Sequence, residues 1–263
     1  MASNLAQGKT IVVTGAAGGL GKAIAAAFLK AGGNVAICNI NQERLDQIQS
    51  EWKSQSDKTL VWKTDITNEE AVKGFFDAVV SRFGGLDMLV NNAGIMDNFD
   101  GVGTASKETW DRVISINVTG AFLCLKAAVN AFESKPEPSG TVINIGSIAS
   151  YRGVMAGAAY TAAKHALLGL TKNTAGYYGA KGISCIALLL GGMDETNIVD
   201  AFARGFNQVG MMLMGAVNPG YVPGKTGVPV ADVAKYCLFF SDDSMARASN
   251  GASVCVNNNW PAA

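Results

Sequence analysis

Thr10-Ile11-Val12-Val13-Thr14-Gly15-Ala16-Ala17-Gly18-Gly19-Leu20-Gly21 carries a short β-branched run directly into a glycine-rich turn, and a helical pattern begins at Lys22. Glycines let the main chain turn sharply and approach a ligand closely. The helix N-terminus that follows offers unpaired N–H groups and the positive end of its dipole to a phosphate. Strand, turn and helix in this order, at the start of the chain, form the arrangement that holds a dinucleotide pyrophosphate. A Walker phosphate loop does not fit, because Gly21-Lys22 is followed by Ala23 and the first glycine position holds Ala16. The plainer alternative, that the glycines serve only a tight turn and close helix packing, stays open at this point.

Outward from the turn, apolar runs that begin at 10–14 recur at 34–39, 59–63, 88–91, 141–146, 184–189 and 253–256. Helical patterns fill 21–31, 42–55, 68–83, 107–132, 159–178 and 230–241. Strands alternating with helices indicate βαβ units, and strands without in/out alternation fit a sheet covered on both faces. The expected fold is α/β, a Rossmann-type doubly wound parallel sheet in which 1–263 is a single domain, a size such folds reach. Residues 191–229 break the rhythm with GGMDETN, an apolar stretch containing Met211, Met212 and Met214, and the turn-rich NPGYVPGKTGVP. A stretch this long reads as an inserted substrate lid near the C-terminal end or, more plainly, as a peripheral insertion that only packs.

Composition narrows the function. Apolar residues make up 49% and charged residues 16%, which describes a globular chain. Basic and acidic residues balance at 21 each with no basic run, so neither nucleic acid nor a membrane surface is an expected partner. A small molecule is. Cys38, Cys124, Cys185, Cys237 and Cys255 are scattered without metal-ligand spacing, and with one histidine no metal site is expected. No secretory signal opens the chain and no uninterrupted apolar run reaches the ~18 residues of a membrane span, so a cytoplasmic location is expected. No Gly-x-Ser-x-Gly elbow surrounds any serine, which removes the common hydrolase reading.

Tyr160 and Lys164 stand four apart in a strongly helical segment, so both side chains leave one face. A phenol is a poor base near neutrality, and a neighbouring ammonium favours its ionised form. Tyr177 and Lys181 share the spacing, but Gly179 and Gly182 mark a helix end around them. His165 follows Lys164 and is turned about 100° from it, away from this pair. Ser147, just past a strand and 13 residues before Tyr160, offers a hydroxyl to a substrate oxygen or, alternatively, a turn cap. Asn117 lies inside an apolar helical pattern, where an amide is unfavourable unless it has a buried polar task.

Thr14-Gly15-x-x-x-Gly19-x-Gly21, Asn91-Asn92-Ala93-Gly94, Ser147 and Tyr160-x-x-x-Lys164 resemble, in order and over nearly the whole chain, the short-chain dehydrogenase/reductase family. The resemblance implies an NAD(P)-dependent oxidoreductase acting on a ketone/secondary alcohol pair, with Asn117, Ser147, Tyr160 and Lys164 catalytic. It implies cofactor contacts from Gly15, Gly19, Leu20, Gly21, Asn39, Asp65, Ile66, Asn91, Ala93 and Gly94, as well as Tyr160 and Lys164. It also implies a homodimer or homotetramer pairing the helices of 107–132 and 159–178. Asn39 stands where an Asp usually signals NAD; it can bond ribose hydroxyls without repelling a 2′-phosphate. Neither Gly18 nor Ile40 supplies the cation of the family's NADP enzymes, which places NAD ahead of NADP. Asp65 reads equally well as a local turn signal before Thr67 and Glu70.

Three departures from the family stand out. Leu190 replaces a proline before Gly191-Gly192, where two glycines allow an unusual backbone path, and Thr196 falls one position late for the family's amide-binding threonine. The end, Val256-Asn257-Asn258-Asn259-Trp260, replaces the usual Asp-Gly-Gly. The Met-rich stretch points to a hydrophobic, bulky substrate or, more plainly, to methionines that pack in the core. Two other functions on this fold remain open: a non-redox isomerase or cyclase, suggested by the altered loop, and a cofactor-binding regulator without turnover.

Overall fold

A computed structural model describes residues 4–196 and 205–262. Its seven strands are β1 (Thr10–Thr14), β2 (Asn34–Asn39), β3 (Thr59–Lys63), β4 (Met88–Asn91), β5 (Gly140–Ser147), β6 (Ile183–Leu190) and β7 (Ser253–Val256). They form one sheet in the order β3-β2-β1-β4-β5-β6-β7, and every pair is parallel. The strand order reverses between β1 and β4, opening a crevice at the carboxyl ends of the strands, where ligands of such folds bind.

Helices α1 (Gly19–Lys30), α2 (Gln42–Glu51), α3 (Glu69–Phe83), α4 (Lys107–Ile114), α5 (Ala121–Glu133), α6 (Ala158–Tyr178), α7 (Gln208–Val217), α8 (Val230–Phe239) and α9 (Asp243–Ala248) complete the described elements, with a few single turns. Side chains along each strand point alternately to the two faces. Ile11 and Val13 of β1 therefore join Ile24, Phe28, Leu45 and Val233 beneath α1, α2 and α8. Val12 joins Phe75, Val79, Leu125 and Phe132 beneath α3 and α5. Two apolar layers thus cover both faces, which is why the strands read as unbroken apolar runs. Each such side chain, fully buried, contributes roughly 1.5–3 kcal/mol.

Helix starts follow the sequence signals. Asn41, Asn68, Ser106 and Asn207 accept from Arg44, Ala71, Thr109 and Gly210 N–H respectively, and each thereby caps its helix. Helices α1 and α6 have no side-chain hydrogen bond from their own N-cap glycines, Gly18 and Gly157. The continuous helix expected over 107–132 is interrupted by a wide π turn at Ser115–Gly120, a feature frequent at functional sites. The combined stretch Lys107–Glu133 is long and apolar enough to cross a membrane by length and composition, although charged residues interrupt it. Half of its most apolar window is buried within the chain, where Leu123, Leu125 and Phe132 face the sheet.

Candidate active site

The glycine turn is held by its neighbour strand. Thr14 Oγ1 accepts from the N–H groups of Asn92 (3.1 Å) and Ala93 (3.0 Å), and Asn92 Nδ2 donates to the Thr14 carbonyl at 2.8 Å. Gly15 has φ 65°, and a Cβ there would stand 2.8 Å from Ala93 Cα. At Gly21 it would stand 2.6 Å from Asn92 Nδ2. Close approach as well as backbone shape therefore demands these glycines. Neither an acidic residue in its first turn nor a side-chain cap occupies the α1 N-terminus, so the donors and positive dipole end that suit a pyrophosphate stay uncommitted to side chains. Leu20, in that first turn, is buried with the core.

At the end of β2, Asn39 Oδ1 accepts from Asn41 N–H at 2.9 Å, which leaves its amide group as a donor. Ile40 is exposed, and Lys63 is the register partner of Asn39 on β3. The Asp65 carboxylate accepts from Thr67 N–H (2.9 Å) and Thr67 Oγ1 (2.7 Å), the local turn reading. Ile66 packs against Gly120, where a Cβ would meet its side chain at 2.7 Å. Asn91 spends its amide on Ala121 O (3.0 Å) and Asn144 Oδ1 (3.2 Å), joining β4 to α5 and β5. Gly94 sits between the two clusters: a Cβ there would lie 3.3 Å from Asn117 Oδ1 and 3.8 Å from Lys164 Nζ.

Ser147, Tyr160, Lys164 and Asn117 come together here. Ser147 is the last residue of β5; its Oγ accepts from Ala149 N–H at 3.1 Å, so it caps a turn, and it also hydrogen-bonds the Tyr160 phenol. The turn-cap reading of this serine is thus met. Tyr160 and Lys164 leave the buried face of α6, with Lys164 Nζ 5.4 Å from the centre of the tyrosine ring. The ammonium donates to Ile145 O at 2.8 Å, and burial lowers the Lys164 pKa to about 8. Burial pushes the Tyr160 phenol well above its usual value; the Ser147 hydrogen bond opposes that shift and the Asp97 charge adds to it. The sequence pointed to Lys164 as the group that eases phenol ionisation, whereas in this structure the easing contact is Ser147.

Asn117, in the π turn, exchanges two hydrogen bonds with the Ile95 main chain, both 2.8 Å. That pairing fixes the loop after β4 against Lys164. By contrast, Tyr177 is 74% exposed, and its partner Lys181 sits in a separate turn bonded to Glu133. His165 is exposed and bonds Thr161 O at 2.9 Å.

The expected lid is described apart from residues 197–204, which lie outside the described residues. Met214 of α7 packs into the apolar cluster that holds Tyr160, Met96, Phe99, Val113 and Ala163. The start of α7 is seated on the loop after β4 through Asn207 N–H to Asn98 O (2.8 Å), and Gly210 faces Phe99 O so closely that a Cβ would lie 2.0 Å away. Gly191 and Gly192 have no left-handed φ; a Cβ would meet Asn257 at 2.9 Å and the Tyr221 ring at 2.4 Å. Close neighbours, the chain end at Gly191 and the Tyr221 ring at Gly192, and not a left-handed backbone, call for these glycines. Thr196 Oγ1 is buried without a partner among the described residues, a polar group that a bound amide could satisfy.

Sequence reasoning missed Asp97, buried beside Tyr160, and the Thr14–Asn92 clasp. The clasp was within reach, since Asn92 lies inside a quoted motif; Asp97 had no pattern to mark it.

Residues 9–205 match the family model described as short chain dehydrogenase. The chain belongs to the short-chain dehydrogenase/reductase family. This short-chain dehydrogenase/reductase is 45% identical over 253 residues to the short chain dehydrogenase/reductase dpchG of Colletotrichum higginsianum, covering 96% of this chain and 94% of that one. It is 34% identical over 256 residues to 3beta-hydroxysteroid dehydrogenase 2 of Eggerthella lenta, covering 97% and 95%. The crystal structure of levodione reductase superposes with a TM-score of 0.84 at 25% identity, covering 97% of this chain and 98% of that one. Family membership makes the protein an NAD(P)-dependent oxidoreductase acting on CH–OH groups.

Proposed function

We propose that this enzyme interconverts a hydrophobic, cyclic ketone and its secondary alcohol, with Tyr160 as acid and base, and that 1–263 forms one dinucleotide-binding domain with 191–229 as substrate lid. The observation that carries this reading is the shared cluster of Tyr160 and the lid residue Met214. It brings the proton donor and an apolar wall to one place. The names of relatives such as the 3beta-hydroxysteroid dehydrogenases support an alicyclic substrate.

Bound nicotinamide supplies or accepts the hydride. In reduction, the Tyr160 hydroxyl gives its proton to the carbonyl oxygen while Ser147 Oγ–H donates to the same oxygen and stabilises the charge that develops. A phenol kept protonated by burial is suited to that donation. Lys164, buried with a pKa brought to about 8, is poised to restore the proton, and Asn117 holds the loop that frames it. In oxidation the same groups run in reverse. The test is a panel of 3-keto and 3β-hydroxy steroids, cyclic diketones and decalols, offered with both nucleotides and followed at 340 nm. Turnover of at least one alicyclic member is expected; conversion of a member without absorbance change would overturn the redox assignment.

Asn39 and the uncharged Gly18 and Ile40 support NAD over NADP. Asn39→Asp should raise the NAD/NADP ratio of kcat/KM about tenfold or more, because a carboxylate repels a 2′-phosphate. The lid reading makes Gly210→Ala informative. With its Cβ driven into the Phe99 carbonyl, the lid must lift, so KM for the alcohol should rise about tenfold while the nucleotide dissociation constant stays put. A homodimer or homotetramer is supported by apolar side chains left exposed on the helices expected to pair, Trp110, Phe122 and Tyr177.

A further inference from the structure

Asp97 lies in the loop after β4, with only 2% of its surface exposed. Among the described residues its hydrogen bonds come from main-chain N–H groups: Phe99 (3.1 Å) and Gly157 (2.9 Å) to Oδ1, and Tyr160 (2.9 Å) to Oδ2. Gly157 and Tyr160 are the N-cap and third residue of α6, two of the donors that a helix start leaves without partners. Gly157 cannot cap its own helix by a side chain, so a residue sixty positions earlier does it. Nor could another residue replace Gly157 unchanged: a Cβ there would stand 2.6 Å from Asp97 Oδ2 and 2.7 Å from Asp100 N. The fit is close on both sides.

We propose that Asp97 is a positioning residue for the reaction, a buried anion that fixes the first turn of α6 and so sets the place and the protonation of the Tyr160 phenol. A side chain's place follows its own main chain, and the Tyr160 N–H is gripped directly. An ordinary cap would need only a hydroxyl or an amide at position 157; a carboxylate brought from another loop adds a negative charge to an enclosed apolar site. Burying a charge is costly, although the positive end of a 21-residue helix offsets part of that cost.

The charge has a direction of effect. An anion near a phenol disfavours the phenolate, and Asp97 acts on Tyr160 in that sense. Among the described residues the ionisable groups facing the phenol are Asp97 from the loop and Lys164 from α6; Ser147 of β5 is uncharged. Val113 and Ile114 of α4, Val118 of the π turn, Met155 and Met214 surround them in the same cluster, and none of these titrates. Asp97 therefore opposes the Ser147 hydrogen bond, holding Tyr160 as a proton donor near neutrality.

This inference rests on Tyr160 being the acid and base, and the test separates the two claims. The substrate is the panel alcohol that the native enzyme oxidises fastest, compared in native enzyme, Asp97→Asn, Asp97→Ser and Tyr160→Phe. Both Asp97 variants remove the charge; asparagine is isosteric and keeps the Oδ1 acceptor for Gly157, and serine keeps a shorter hydroxyl acceptor. Oxidation needs the phenolate, so its rising limb should move to lower pH by about half a unit or more in either variant. kcat for reduction should fall about tenfold, with the nucleotide KM little changed. A limb that stays in place in a folded variant, with activity falling only as thermal stability falls, would overturn the proposal. An active Tyr160→Phe would instead sink the acid-base assignment beneath it.

Discussion

Lys164→Met is expected to cost at least a hundredfold in kcat and yet leave the protein as stable as before, or more so. Methionine fills nearly the same volume without a charge. With its pKa brought from 10.5 to about 8 by burial, the native lysine is protonated in both folded and unfolded states below pH 8, and the full cost of burying the ammonium falls on the fold. That cost is on the order of 3 kcal/mol. Between about pH 8 and 10.5 the unfolded chain binds a proton the folded chain does not, so native stability rises with pH through that window. Losing the bond to Ile145 O removes about 1–2 kcal/mol from the gain. Denaturant unfolding should therefore find the variant about 1 kcal/mol more stable at pH 7, with the advantage gone by pH 10.5.

Tyr160→Phe is the larger loss in activity. It removes one oxygen, the one hydrogen-bonded to Ser147, and leaves the ring in its apolar cluster. General acid–base catalysis contributes typically 10²–10⁴-fold, and a missing proton donor also leaves the developing alkoxide with Ser147 alone, so kcat should fall about a thousandfold or more. Because the deleted oxygen acts at the reacting centre, nucleotide binding and thermal stability should be close to native. Single-turnover absorbance and nucleotide titration separate these effects.

Much of this was legible in the sequence. All seven strands were, because a parallel sheet buried on both faces writes each strand as a run of β-branched residues, and the boundaries moved by one residue at most, as at Gly140–Ser147 and Ile183–Leu190. The helix over 107–132 read as continuous because one wide turn leaves the apolar periodicity of its flanks intact. Helix α9, at six residues, is too short to show a period. Tyr160, Lys164 and Ser147 were visible through helix spacing and strand end. Asp97 was not, because an acid in a loop carries no period; its partners at 157 and 160 declare themselves only once the chain has folded. Gly191 and Gly192 were visible but misread, since sequence cannot say whether a glycine serves its own φ or a neighbour's approach.

The proposed mechanism depends on which tyrosine handles the proton, and the chain carries its own control. Tyr177 has the same spacing to a lysine but is exposed at the far end of α6. Initial rates at 340 nm, with saturating nucleotide and the best panel alcohol, should therefore be compared for native enzyme, Tyr160→Phe and Tyr177→Phe. Tyr177→Phe should stay within about twofold of native and Tyr160→Phe should fall about a thousandfold. A folded Tyr160→Phe that keeps about a tenth of the native rate or more would contradict the account.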